Sequence, residues 1–117
     1  MLPTTKIAGH EFTRLLCGSN PLNGFSHFSS ARDRWLHDYF TVDRIVELFE
    51  ACVAAGINGL LGSYTDKLAE AIRKFWARNP RDSFRWIAYT HGGMEMLRQS
   101  IKMIADAGAV GCYVQGG

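Results

Sequence analysis

The sequence predicts an α/β fold: a parallel (β/α) half-barrel, the amino-terminal half of a TIM-type barrel, preceded by a short β-hairpin. Three observations predict it. Short apolar or β-branched runs alternate with amphipathic helical stretches, the pattern of a parallel sheet with helical crossovers. Two joints resemble each other, Ala55-Gly56-Ile57-Asn58-Gly59-Leu60 and Ala107-Gly108-Ala109-Val110-Gly111-Cys112, each a helix end, a glycine and a tight turn into a buried strand. A dinucleotide-binding sheet would place a glycine-rich turn straight after its first strand, opening a helix. Here the first strand runs into Gly18-Ser19-Asn20-Pro21 instead, and no Walker-type phosphate loop occurs.

The elements follow in order. Residues 5–12 read as a hairpin, Lys6-Ile7-Ala8, a turn at Gly9-His10, then Glu11-Phe12. Arg14-Leu15-Leu16-Cys17-Gly18 is a buried strand stopped by Asn20-Pro21, a breaker pair. Residues 19–40 form a long polar and aromatic connection without helical periodicity. Thr41 is a good N-cap, and Val42, Ile45, Val46, Phe49, Cys52 and Val53 then make one apolar helical face. Gly56 suits a left-handed helix end, and Ile57 to Gly62 is a second strand. Thr65 and Asp66 start a second helix with Leu68, Ile72 and Phe75 inward, ended by Asn79-Pro80. Phe84 to Tyr89 is aromatic and β-branched enough for a third strand. A third helix carries Met94, Leu97, Ile101 and Ile104 and stops at Gly108, and Ala109 to Gln115 is the fourth strand. The expectation is one domain over residues 1–117, a fragment of a longer barrel.

Composition narrows the function classes. Thirteen basic against 11 acidic residues, for a net charge of +2, argues against an obligate nucleic-acid binder. Cys17, Cys52 and Cys112 are far apart, lie in apolar runs and show no zinc spacing. The start lacks the apolar stretch of a signal peptide and no run approaches membrane-spanning length, so a cytoplasmic protein without membrane partners is the expectation.

Several of these segments resemble the aldo/keto reductase family. The hairpin Lys6-Ile7-Ala8-Gly9-His10-Glu11-Phe12 before Arg14 to Gly18 looks like the hairpin that plugs such barrels from below. Ala54-Ala55-Gly56-Ile57-Asn58 looks like the family's first helix end and second strand, and Gln99-Ser100-Ile101-Lys102 with Gly111-Cys112-Tyr113-Val114 like its third helix and fourth strand. The resemblance implies a barrel, and it puts Tyr64 close to the family's catalytic tyrosine. The family's Asp, Lys and His positions fall at about Leu61, Thr90, and Gln115 or Gly116, so most of its catalytic set is missing. Its nicotinamide cofactor is bound largely by the second half of such barrels. The cofactor of this chain is therefore left unknown.

In a parallel barrel the reacting groups stand on the loops after each strand. The eligible segments are 19–40, 62–66, 90–93 and 115–117. Tyr64 and His91 are the catalytic candidates; His91 follows the third strand before Gly92-Gly93, where an imidazole can serve as acid, base or ligand, or simply cap a helix. Asn20, Asn23, His27, Asp33 and Gln115 are the substrate-binding candidates, with Asn20 leaving its strand directly. Asp33 and Asp38 stand beside arginines and suit loop salt bridges as well as catalysis. Phe25, Phe28, Trp35, Tyr39 and Phe40 suit either a lid over an apolar substrate or anchors for the loop. No metal-ligand spacing is present. Two readings follow: part of a small-molecule enzyme of undetermined reaction, completed by a carboxyl-terminal half-barrel, or a non-catalytic half-barrel that self-associates.

Overall fold

The computed structural model describes residues 2–90 and 94–114, with the backbone alone at Met94 and Glu95. The chain runs β1 (Thr4–Ile7), β2 (His10–Thr13), β3 (Cys17–Gly18), a 3-10 turn (Pro21–Asn23), α1 (Ser30–Tyr39), α2 (Val42–Ala54), β4 (Gly59–Ser63), α3 (Asp66–Arg78), a second 3-10 turn (Arg81–Ser83), β5 (Arg85–Tyr89), α4 (Met94–Asp106) and β6 (Gly111–Tyr113). Strands β3, β4, β5 and β6 form one parallel sheet in sequential order, and β1 pairs antiparallel with β2.

The hairpin turn falls at Ala8-Gly9, one residue earlier than the sequence suggests, with φ of 51° and 78°. Positive φ at both central residues is what a two-residue hairpin loop needs to match the strand twist. Helix starts fall where the caps predict. Thr41 Oγ1 accepts from Arg44 N–H and Thr65 Oγ1 from Leu68 N–H. Gly56 and Gly108, at φ +91° and +98°, supply the left-handed residues that turn α2 and α4 toward their strands.

One face of the sheet is sealed. Leu60, Trp86 and Ala88 pack with Ile45, Val46 and Phe49 of α2, Leu68, Ala71, Ile72 and Phe75 of α3, and Ile104 of α4 in one core. Successive strand residues point to opposite faces, which puts Leu61 and Ser63, Ile87 and Tyr89, and Gly111 and Tyr113 on the other side. At its amino end that second face is plugged by the hairpin. A Cβ on Gly59 would lie 2.6 Å from Leu16 Cδ2 and 2.7 Å from Phe12 Cδ1, so only glycine lets the plug seat. Asn58 clasps it: Thr13 N–H donates to Asn58 Oδ1 (2.8 Å), and Asn58 Nδ2 donates to Glu11 O (2.9 Å).

The structure departs from the sequence reading in three further places. The first strand pairs only at Cys17 and Gly18; Arg14 N–H instead donates to Pro3 O (2.8 Å), extending the hairpin ladder. Residues 19–40 are not irregular: they hold a 3-10 turn and the ten-residue α1. Helix α1 buries none of its residues, so no apolar period marked it. It is specified by its start, where Ser29 Oγ accepts from Arg32 N–H. On α4, Ile104 is buried as expected but Ile101 is 41% exposed, so part of the expected inner face lacks cover among the described residues. No helix among the described residues is long and apolar enough to cross a membrane.

Candidate functional site

The loop after β3 is the most heavily built feature at the carboxyl end of the sheet. Pro21 opens its turn, Asn20 O accepts from Phe25 N–H (2.8 Å), and Gly24 at φ +76° closes it. A Cβ at Gly24 would lie 2.8 Å from His37 Cβ, so glycine allows the turn to lie against α1. Two contacts fasten the loop to the start of α3. Thr65 Oγ1 donates to Asn23 Oδ1 (2.9 Å), and Lys67 Nζ donates to His37 O and Phe40 O (2.9 Å each). Partial burial lowers the Lys67 pKa, against an opposing pull from the Asp38 carboxylate.

The substrate-binding candidates Asn20, Asn23, His27 and Asp33 all belong to this loop, and their roles divide. Asn20 Nδ2 and His27 Nε2 are 3.2 Å apart, and the imidazole meets the Phe25 ring edge-on at 4.6 Å between centroids. With Asn20 as donor, His27 carries its proton on Nδ1. His27 sits at φ +59°, a left-handed conformation that costs a non-glycine residue about 1 kcal/mol or more. Asn23 and Asp33 hold the loop in shape. Asp33 Oδ1 accepts from Ser26 N–H (2.7 Å) and from Ser26 Oγ, and these bonds hold its carboxyl below the usual range. Its carboxylate is therefore turned to Ser26 rather than to an adjacent arginine. Asp38 lies 3.4 Å from His37 Nδ1, both exposed.

Tyr64 faces elsewhere. Its ring stacks on Trp86 at 6.0 Å and 14°, packs against the sealed core, and lines a groove between α3 and α4 with Trp76 and Met103. Leu61, at the family's Asp position, lies on the open face, and Thr90 is buried with its hydroxyl donating to Tyr113 O (3.2 Å). His91 and Gln115 lie outside the described residues.

The open face offers residues that sequence reasoning passed over as strand filler. Tyr89 and Tyr113 are register partners, with rings 5.2 Å apart and tilted by 39°. Both stand at the carboxyl ends of their strands, where parallel barrels keep their reactive groups. Burial, with Tyr89 beside it, raises the Tyr113 pKa, so this phenol stays protonated to higher pH than a free tyrosine. Ser63 ends β4 on the same side. The available signal was strand parity counted from Trp86, hidden because Phe84 to Tyr89 is apolar nearly throughout. At the opposite end of that face, Arg85 reaches Glu11 O (3.4 Å) and Asp82 (3.5 Å), and its buried Nε has no hydrogen-bond partner among the described residues.

These groups offer amide, hydroxyl, phenol and imidazole hydrogen-bonding atoms. Among the described residues, no cluster of three or more His, Cys, Asp or Glu could hold a metal ion. Comparison with family models, curated proteins and solved structures found no match, so the site is read from its own residues.

Proposed function

We propose that this chain is the amino-terminal half of a parallel (β/α) barrel belonging to a small-molecule enzyme, with its site on the open sheet face at the carboxyl ends of β3 to β6. One observation carries the reading: the sheet is two-sided. Its order is sequential, its helix-layer core lies on one face, and among the described residues the other face is plugged by Phe12 and Leu16 at the amino end. Asn20, His27, Tyr89 and Tyr113 are the ligand-contacting residues of this reading, with His91 and Gln115 assigned by sequence position. Fold alone does not name a reaction. The aldo/keto reductase resemblance supports the barrel and stops short of that family's chemistry. NADPH with a panel of aldehydes is expected to give no turnover; turnover that vanishes in Tyr64→Phe would overturn this.

The test of the site is thermal denaturation against sugars, amino acids, nucleosides and short carboxylic acids, with wild type beside Tyr113→Phe and Asn20→Ala. The expected result is a compound class that raises the wild-type Tm by several degrees and raises neither variant's. Equal stabilisation of all three proteins, or none across the panel, would count against the site. A second reading, a non-catalytic half-barrel that associates through its sheet, draws on Leu61, Tyr113 and Val114, all exposed on the open face or beside its edge strand.

A further inference from the structure

The most exposed aromatic surface of the molecule lies away from the sheet, along α1. Phe28, just before the helix, and Arg32, Trp35 and Tyr39 recur at steps of four, three and four, which makes one helical stripe. Phe28 is 73% and Trp35 60% exposed. The stripe is ordered by its own contacts. The Arg32 guanidinium lies 4.3 Å over the Phe28 ring, Trp35 and Tyr39 stack at 5.0 Å and 14°, and Arg44 of α2 lies 4.3 Å over Tyr39 while donating to Tyr39 O (2.8 Å). Trp, Tyr and Arg carry much of the binding energy of protein interfaces, and a partner meeting a preordered surface loses less side-chain freedom.

We propose that α1 pairs antiparallel with α1 of a second copy of this chain, about a two-fold axis near Trp35. A two-fold contact requires a self-complementary surface, and the outward charges of α1 are arranged that way. Arg32 and Arg34 stand exposed in the first half of the helix and Asp38 in the second. Asp33, which would neutralise the arginines, is turned to Ser26. Antiparallel pairing sets the arginine half of each helix against Asp38 of the other, with Trp35 near the centre of the seam. A lipid surface fits less well: the exposed charges of α1 are Arg32 and Arg34 against Asp38, an excess of one, whereas anionic-lipid recognition uses clusters of about four or more Lys/Arg. A seam of one short helix from each copy falls below about 1,200 Å² of buried surface, so the dimer is weak, with a dissociation constant expected on the order of tens of micromolar. This inference does not rest on the barrel reading.

Sedimentation velocity over a concentration series tests it, with Trp35→Glu, the double variant Arg32→Glu/Arg34→Glu, Asp38→Arg, and Met103→Glu on the exposed side of α4 as control. Wild type and the control are expected to dimerise alike, while the other three each weaken association about tenfold or more. An equimolar mixture of the arginine double variant with Asp38→Arg should recover a dimer that neither forms alone. A wild type that stays monomeric throughout overturns the proposal. So does a dimer unchanged by Trp35→Glu, which would assign association to the open sheet. Monomeric wild type that cosediments with phosphatidylglycerol vesicles only when Trp35 is intact would give the stripe to lipid instead.

Discussion

The two faces of the parallel sheet are built from neighbouring residues of the same strands, yet they differ in almost every physical respect. On the sealed face Leu60, Trp86 and Ala88 are fully buried, and the Trp86 indole N–H donates to Gly62 O (3.1 Å). One residue along β4, Leu61 is 38% exposed, and Tyr113 at the end of β6 is 36% exposed, whereas Ile87 between Trp86 and Ala88 is itself buried. The main core lies on the first face, and the proposed site lies on the second. The sharpest test is a pair of truncations. Trp86→Ala removes a large buried side chain, its hydrogen bond and the stack under Tyr64, and is expected to cost about 3–5 kcal/mol. Leu61→Ala should cost roughly 1 kcal/mol or less, since little apolar area leaves the interior. Urea denaturation of both variants measures the contrast. Equal losses would mean that the open face is covered in solution.

The plug at the amino end of the open face comes next in size. Gly59→Ala would drive a methyl group into Leu16 and Phe12, and overpacking of this kind costs about 1–3 kcal/mol. Gly111→Ala, on the same face of β6 where an added Cβ meets nothing within 4 Å among the described residues, should change stability by less than about 0.5 kcal/mol. A tolerant Gly59 would show that the hairpin is not a fixed plug.

How much of this was legible in the sequence follows from where burial falls. Helices α2 and α3 each bury one side, so Ile45, Val46 and Phe49, or Leu68, Ile72 and Phe75, announce themselves by spacing, and Thr41 and Thr65 mark their starts. Helix α1 buries nothing and leaves only its Ser29 cap as a sign. The candidate loop was recognisable from its length and position. The separate jobs of its residues were not, because whether Asp33 meets an arginine or Ser26 depends on a turn that brings residues 26 and 33 together. Tyr89 and Tyr113 were hidden by parity: an apolar strand does not say which of its faces will be covered. The same difficulty applies to Tyr64, whose ring goes to the sealed side.

The sealed face also predicts an alkaline limit. Burial pushes the Cys17 thiol from its ordinary 9.0 up to about 12, with Cys52 beside it adding to the effect. The unfolded chain then loses this proton near pH 9 and the folded chain only near 12. Above pH 9 the unfolded state binds fewer protons, so the stability contributed by the half-buried neutral thiol is complete below that pH and declines toward pH 12. Lysines and tyrosines titrate in the same range, so the readout is the difference between wild type and Cys17→Val. The wild-type denaturation midpoint should fall more steeply from pH 9 upward than that of the variant. Parallel curves would show that the thiol reaches water.

The smallest expected effect lies in the loop that carries α1. The Asp33 carboxyl is depressed by its Ser26 hydrogen bonds, chiefly that from the side-chain hydroxyl. A depressed carboxyl contributes stability above its unfolded pKa of about 3.9 and loses it as pH falls through the lower folded value. The sign is thus loss on acidification, in a window below about pH 4. Asp33 also stands in the first turn of α1, where a negative charge favours the helix. Because α1 buries none of its own residues, its unwinding should barely touch the main core: the helix loosens first and the sheet melts later. Hydrogen exchange of the α1 amides, followed from pH 6 downward, should show protection lost at a higher pH than for α2 or α3. Asp33→Asn should abolish that early step by leaving α1 weakly protected at every pH. Simultaneous loss of protection in α1 and α2 would mean that this loop is coupled to the sealed side, and the contrast between the two faces would then be one of exposure alone.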